Sequence, residues 1–102
     1  MTSEAAAARL EATIRGRVQG VGFRFFVAQR AEALGLTGWV KNEPDGAVHC
    51  LAEGQRLDLE ALLAALQLGP SGARVESVSP SWSAATGSFD RFAIVSGWTS
   101  GD

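Results

Sequence analysis

The hydrophobic period of this chain changes at a pair of glycines, and that change constrains the fold more than any other feature. Thr13 to Val18 alternates, with Ile14, Gly16 and Val18 on one side and Arg15 and Arg17 on the other. That is the pattern of a half-buried strand. After Gln19-Gly20-Val21-Gly22 the spacing becomes three and four, and Phe23, Phe26, Val27, Ala31 and Leu34 form the stripe of an amphipathic helix. Gly35 stands where a left-handed C-terminal cap belongs. Arg30 interrupts the stripe; a stem laid along the apolar face with its charge in water accommodates it.

Leu36 to Asn42 returns to a strand around Trp39 and Val40, and Glu43-Pro44-Asp45-Gly46 is a turn by its chemistry. Ala47 to Glu53 is the partner strand, with Val48, Cys50 and Ala52 on one face. A second helix runs from about Leu57 to Leu68 and stops at Gly69-Pro70. Ala73 to Val78 reads as a fourth strand and Phe89 to Val95 as a fifth. The order β-α-β-β-α-β plus one strand predicts an α+β fold, the ferredoxin-like split βαβ sandwich. Its sheet is expected to be antiparallel, with both helices on one face. Residues 1–11 are expected to be a flexible lead-in, 12–95 the domain and 96–102, with Trp98, a loose tail.

Composition narrows the function classes. A length of 102 residues suits one core, and 46% hydrophobic with 20% charged residues is ordinary globular composition. Nine basic against eleven acidic residues leave a net charge of -2, which counts against a nucleic-acid partner. The single cysteine, Cys50, allows no internal disulfide and is too few for a cysteine-based zinc site, so a reducing compartment is the simpler expectation. No His, Cys, Asp or Glu cluster has metal-ligand spacing, and no cofactor is expected. The start lacks the positive, then strongly apolar, pattern of a secretory signal, and no run approaches the roughly 20 apolar residues of a membrane span. The expectation is a small cytoplasmic monomer with no membrane partner.

The glycine turn is where chemistry can reside. A helix start offers backbone N–H groups without intrahelical partners and a partial positive charge. Glycines before it let successive N–H groups converge on a tetrahedral anion. Arg24, in the first turn, adds a guanidinium fork suited to phosphate oxygens. A short connection with an exposed arginine would have the same spelling, and this feature alone does not separate the two. The turn is neither a Walker A loop nor a Gly-x-Gly-x-x-Gly fingerprint. From Arg24 the helix descends about 15 Å over ten residues, and the strand from Leu36 climbs back roughly 20 Å. A right-handed crossover then sets Asn42 beside the helix start. Asn42 can orient a water or a carbonyl there, or simply close the strand before its turn.

These segments resemble a known family. Gly16-Arg17-Val18-Gln19-Gly20-Val21-Gly22-Phe23-Arg24 is similar to the signature of the acylphosphatases, and Leu34-Gly35-Leu36-Thr37-Gly38-Trp39-Val40-Lys41-Asn42 to their second signature. Asp45-Gly46, Glu53-Gly54, Gly69-Pro70, Ala73-Arg74-Val75 and Phe92-Ala93-Ile94 also fall where that family has them, so the resemblance spans residues 11–95. It implies hydrolysis of the carboxyl–phosphate bond of small acyl phosphates, releasing carboxylate and inorganic phosphate without a metal. It places the catalytic roles on Arg24 and Asn42 and the phosphate loop on Gln19, Gly20, Val21, Gly22, Phe23 and Arg24.

Rival sites are weaker. His49 and Cys50 are adjacent on a strand, point to opposite faces and cannot form a nucleophile–base pair; a surface histidine and a buried thiol are expected. Glu43 and Asp45 read as a solvated turn. Phe23 to Val27 superficially resembles an RNA-recognition aromatic motif, but that motif belongs on a strand. A non-catalytic phosphate- or RNA-binding module on the same fold is the runner-up. A detached domain resembling that of the hydrogenase-maturation carbamoyltransferases is third, since the zinc-binding and nucleotide-using domains of those proteins have no counterpart here.

Overall fold

The computed structural model describes residues 7–96. The expected tail from 97 and the first six residues of the expected lead-in lie outside them. Seven elements follow in order: β1 (Ala7–Arg17), α1 (Phe23–Ala33), β2 (Thr37–Asn42), β3 (Val48–Gln55), α2 (Arg56–Leu68), β4 (Arg74–Ala84) and β5 (Phe92–Ile94). The strands form one sheet in the order β4-β1-β3-β2-β5. β1 pairs antiparallel with β3 and β4, and β2 with β3, as the split βαβ order requires. The appended β5 joins the far edge and runs parallel to β2, so the sheet is mixed rather than wholly antiparallel as expected. α1 covers β2 and β5, α2 covers β1, β3 and β4, and the helices pack against each other.

Alternation decides which face each strand buries. Leu10, Ala12 and Ile14 of β1, Val40 of β2 and Cys50 and Ala52 of β3 are buried beneath the helices, whose Phe23, Val27, Ala31, Leu59, Leu62 and Leu66 meet them. Arg9, Glu11, Thr13 and Arg15 alternate with the first three and so line the open face. Arg30 is exposed, with its guanidinium 4.9 Å from the Phe26 ring centroid. It therefore covers the edge of the apolar stripe without entering it. α1 closes as its glycine predicts: Gly35 has φ 71°, its N–H donates to Glu32, and the N–H of Leu36 donates to Ala31. This is the Schellman arrangement.

Three boundaries differ from the sequence expectation. The lead-in expected through residue 11 is strand from Ala7 onward, paired from Ala7 with Gln55 and from Ala8 with Ala84. It opens on Ala7 and Ala8, too small to give a strong period, yet two neighbouring strands satisfy its backbone. β4 continues past Val78 to Ala84. Pro80 disguises it, but β4 is an edge strand, where the missing N–H is tolerated. β5 is shorter than expected, because Phe89 to Arg91 belong to the connection that crosses the sheet end from one edge to the other. Glu53 catches that connection. Its carboxylate accepts from the N–H groups of Thr86 (2.9 Å) and Gly87 (3.0 Å), the Thr86 hydroxyl (2.9 Å) and Arg9 Nε (2.8 Å).

Candidate active site

The glycine turn begins with a kink in β1. The β1–β4 register shifts between Arg15 and Gly16. Gly16 has φ 129°, and a Cβ there would lie 2.2 Å from the Arg74 carbonyl oxygen. No other residue fits that approach. Gly20 and Gly22 follow with φ 75° and 76°, both left-handed, and Gly22 is the N-cap of α1. Glycine replaces a capping side chain here, and no such side chain bonds the first-turn N–H groups. The ring of Phe23 is buried against Phe26 and beside Gly69, which anchors the helix start. Val21 packs partly against the core.

Arg24 lies on the buried side of α1, only 6% exposed. Its Nη1 donates to the carbonyl oxygen of Val95 at 3.4 Å. The Val95 N–H in turn donates to Val40 in β2 at 2.9 Å. Val95 thus joins Arg24 to the strand that ends in Asn42. Asn42 is two residues beyond Val40 on the same face and is 1% exposed. Among the described residues neither its Oδ1 nor its Nδ2 has a hydrogen-bond partner. A buried amide left without partners costs roughly 1–3 kcal/mol per group.

The loop and the hairpin are tied together by Gln19. Its Nε2 donates to the carbonyl oxygens of Glu43 (2.8 Å) and Ala47 (2.9 Å). The Gln19 side chain is thereby committed to holding the hairpin, while its backbone belongs to the loop. Asp45 stiffens the same hairpin: its carboxylate accepts from the Ala47 N–H (3.0 Å) and Arg15 (3.1 Å), which hold it below the usual carboxylate range.

The remaining candidates stay apart from this place. Cys50 is fully buried, and burial pushes its thiol up to about 12. His49 faces the other side of the sheet, half-buried rather than free on the surface. Its Nε2 lies 2.7 Å from Glu11, its Nδ1 3.1 Å from Glu43, and its ring meets Trp39 edge-on. Among the described residues no group of three or more His, Cys, Asp and Glu is placed to hold a metal ion. Clefts of about 380 and 390 Å³ open on the sheet side, by Asp45 and His49 and by Trp39 and Phe89, and include neither Arg24 nor Asn42. A single phosphate needs converging donors rather than a large cavity, so their size does not move the site.

The acylphosphatase family model matches residues 10–94. The chain belongs to the acylphosphatase family. An acylphosphatase of Salinibacter ruber is 51% identical over 86 residues, covering 84% of this chain and 90% of its own. One of Methylococcus capsulatus is 46% identical over 87 residues, covering 85% and 95%. The crystal structure of the Bacillus subtilis acylphosphatase superposes with a TM-score of 0.84 at 40% identity, over 86% of this chain and 98% of that one. The chain is accordingly an acylphosphatase, a hydrolase of acyl phosphates, with the ferredoxin-like α+β fold.

Sequence reasoning expects Arg24 and Asn42 to face one pocket; in the structure Arg24 is linked through Val95 to Val40, two residues before Asn42. It missed the Val95 carbonyl and the bridging role of Gln19. A backbone acceptor has no sequence signature, and a glutamine beside two glycines reads as loop.

Proposed function

We propose that Arg24 and Asn42 carry the acylphosphatase reaction, with the loop from Gln19 to Arg24 as the phosphate seat. The first-turn N–H groups of α1 and the Arg24 guanidinium receive the phosphoryl oxygens, matching the positive end of the helix to a dianion. Charge in phosphoryl transfer spreads over three equatorial oxygens, so fixed donors supply most of the stabilisation. Asn42 orients the attacking water, accepting its proton in a hydrogen bond at Oδ1 or donating to its oxygen from Nδ2. The water oxygen bonds to phosphorus as the phosphorus–acyl oxygen bond breaks. The carboxylate leaves with the bonding electron pair, and the water proton passes to a phosphoryl oxygen. Carboxylate is a good leaving group, so the step needs neither a protein acid nor a metal Lewis acid.

The observation that carries this reading is Asn42, buried to 1% with both amide atoms unbonded among the described residues, two residues beyond the Val40 that Val95 links to Arg24. The reaction is metal-free, the working form is a monomer, and the free thiol suits the reducing cytoplasm. Among the described residues no helix is long and apolar enough to cross a membrane. The test is phosphate release from acetyl or benzoyl phosphate with and without a chelator. Undiminished turnover with chelator is expected. A pH–rate profile that requires a protein group ionising near neutrality contradicts transfer of the proton to the substrate.

A further inference from the structure

Large apolar side chains that stay exposed on this small protein are unevenly placed. Five stand out among the described residues. Leu57 and Leu68 sit at the two ends of α2; Phe25 follows Arg24 in the chain, and Ile94 precedes Val95, whose carbonyl accepts from Arg24 while its side chain lines the cleft beside Trp39. A single exposed apolar residue needs no explanation. Phe25 and Ile94, on two elements that meet at one buried arginine, share a position, and position suggests use.

Phe25 follows Arg24 in the first turn of α1 and is 58% exposed, so its ring stands outside the core while the Arg24 side chain turns inward. Ile94 is the parallel register partner of Val40, which is fully buried beneath the helices. Partners in a parallel pair share a face. Ile94 therefore lies on the helix-covered side, where α1 packs over β5, and is 43% exposed at that edge. The residue after it, Val95, accepts from Arg24 through its carbonyl. Phe25 and Ile94 thus stand on the two elements that Arg24 joins, one on the helix and one on the strand edge.

We propose that Phe25 and Ile94 are specificity-determining residues that receive the acyl group, favouring acyl phosphates with aromatic or bulky apolar acyl groups over acetyl phosphate. The proposal rests on the phosphate seat at Arg24 described above. It is tested by measuring kcat and KM for benzoyl and acetyl phosphate in the wild type, Phe25→Ser, Phe25→Leu and Ile94→Ser. Comparing the ratio of the two kcat/KM values between variants cancels the different intrinsic reactivity of the substrates. Removing about half a benzyl group's burial is expected to lower the benzoyl-to-acetyl ratio about tenfold in Phe25→Ser. The loss should appear in the benzoyl KM. Phe25→Leu should recover most of the ratio, and Ile94→Ser should lower it by a few fold. An unchanged ratio in both serine variants, or equal losses on both substrates, overturns the proposal while leaving the phosphate seat intact. No turnover of either substrate by the wild type overturns the seat, and the proposal falls with it.

Discussion

The side-chain amide of Gln19 donates to the carbonyl oxygen of Ala47 at 2.9 Å and so fastens the glycine loop to the β2–β3 hairpin. The same nitrogen reaches Glu43, the residue after Asn42, at 2.8 Å. The proposed phosphate seat and Asn42, proposed to orient water, are carried by separate segments of chain, and this nitrogen spans the loop and the hairpin. Gln19→Leu keeps the volume and removes both of these bonds, while the Glu43 and Ala47 carbonyls keep backbone donors in Gly46 and Glu43. The variant is expected to lose about 0.5–1.5 kcal/mol of stability per bond removed, read as a lowered urea midpoint. Its kcat should fall more than its affinity for inorganic phosphate, because the seat survives while its alignment with Asn42 loosens. Equal loss of both, or of neither, would contradict the bridging role.

A second expectation concerns acid. Burial alone would raise the Glu53 carboxyl, but the N–H of Thr86, the Arg9 guanidinium, the N–H of Gly87 and the Thr86 hydroxyl outweigh it and bring the group down to about 2 from its usual 4.5. A carboxylate with a lowered folded value stabilises the protein fully above its unfolded value and loses that contribution as pH falls. Stability should therefore decline between about pH 4.5 and 2. In Glu53→Gln the stability at neutral pH should be lower and this part of the acid dependence absent. Urea midpoints between pH 7 and pH 2.5 measure both; parallel curves for the two proteins would exclude Glu53 as the source.

The third concerns Cys50. A thiol with no exposure and a value near 12 is neither accessible nor ionised at neutral pH. Native protein should react with an aromatic disulfide reagent only at the rate of unfolding, and activity should survive the exposure. Rapid labelling of the folded protein would refute this.

How much of this was legible beforehand follows from the range of each interaction. Phe23 to Leu34 announced α1, because a helical stripe and its closing Gly35 are local signals. Arg24 and Asn42 were placed together by the lengths of one helix and one strand and by the hand of a crossover. Ala7 to Ala12 escaped because its opening Ala7 and Ala8 carry almost no hydrophobic contrast; only pairing with β3 and β4 makes it strand. The parallel attachment of β5 to β2 depends on a connection that crosses the sheet end and is held by Glu53, 33 residues before its partner Thr86. Glu53-Gly54 stood out as a match to the family, yet nothing in its neighbourhood specified the four donors it collects.

The choice of arginine at position 24 yields a fourth expectation. The planar fork can serve two phosphoryl oxygens at once while Nη1 keeps its bond to Val95. Arg24→Ala should lower kcat/KM by at least about 10²–10³-fold, the usual loss for one preorganised electrostatic contact. Arg24→Lys should recover little of it, since a point charge cannot reproduce the fork. Near-wild-type turnover in the lysine variant would show that charge alone suffices.

The most direct test of the account separates binding from chemistry at Asn42. Single-variant kinetics on benzoyl phosphate, with inorganic phosphate as competitive inhibitor, measure both in Asn42→Ala. The expected result is turnover reduced by about 10²-fold or more, with the phosphate inhibition constant close to that of the wild type. Retained turnover, or a loss of phosphate affinity as large as the loss of turnover, would contradict a water-orienting Asn42 beside a phosphate seat built by Arg24.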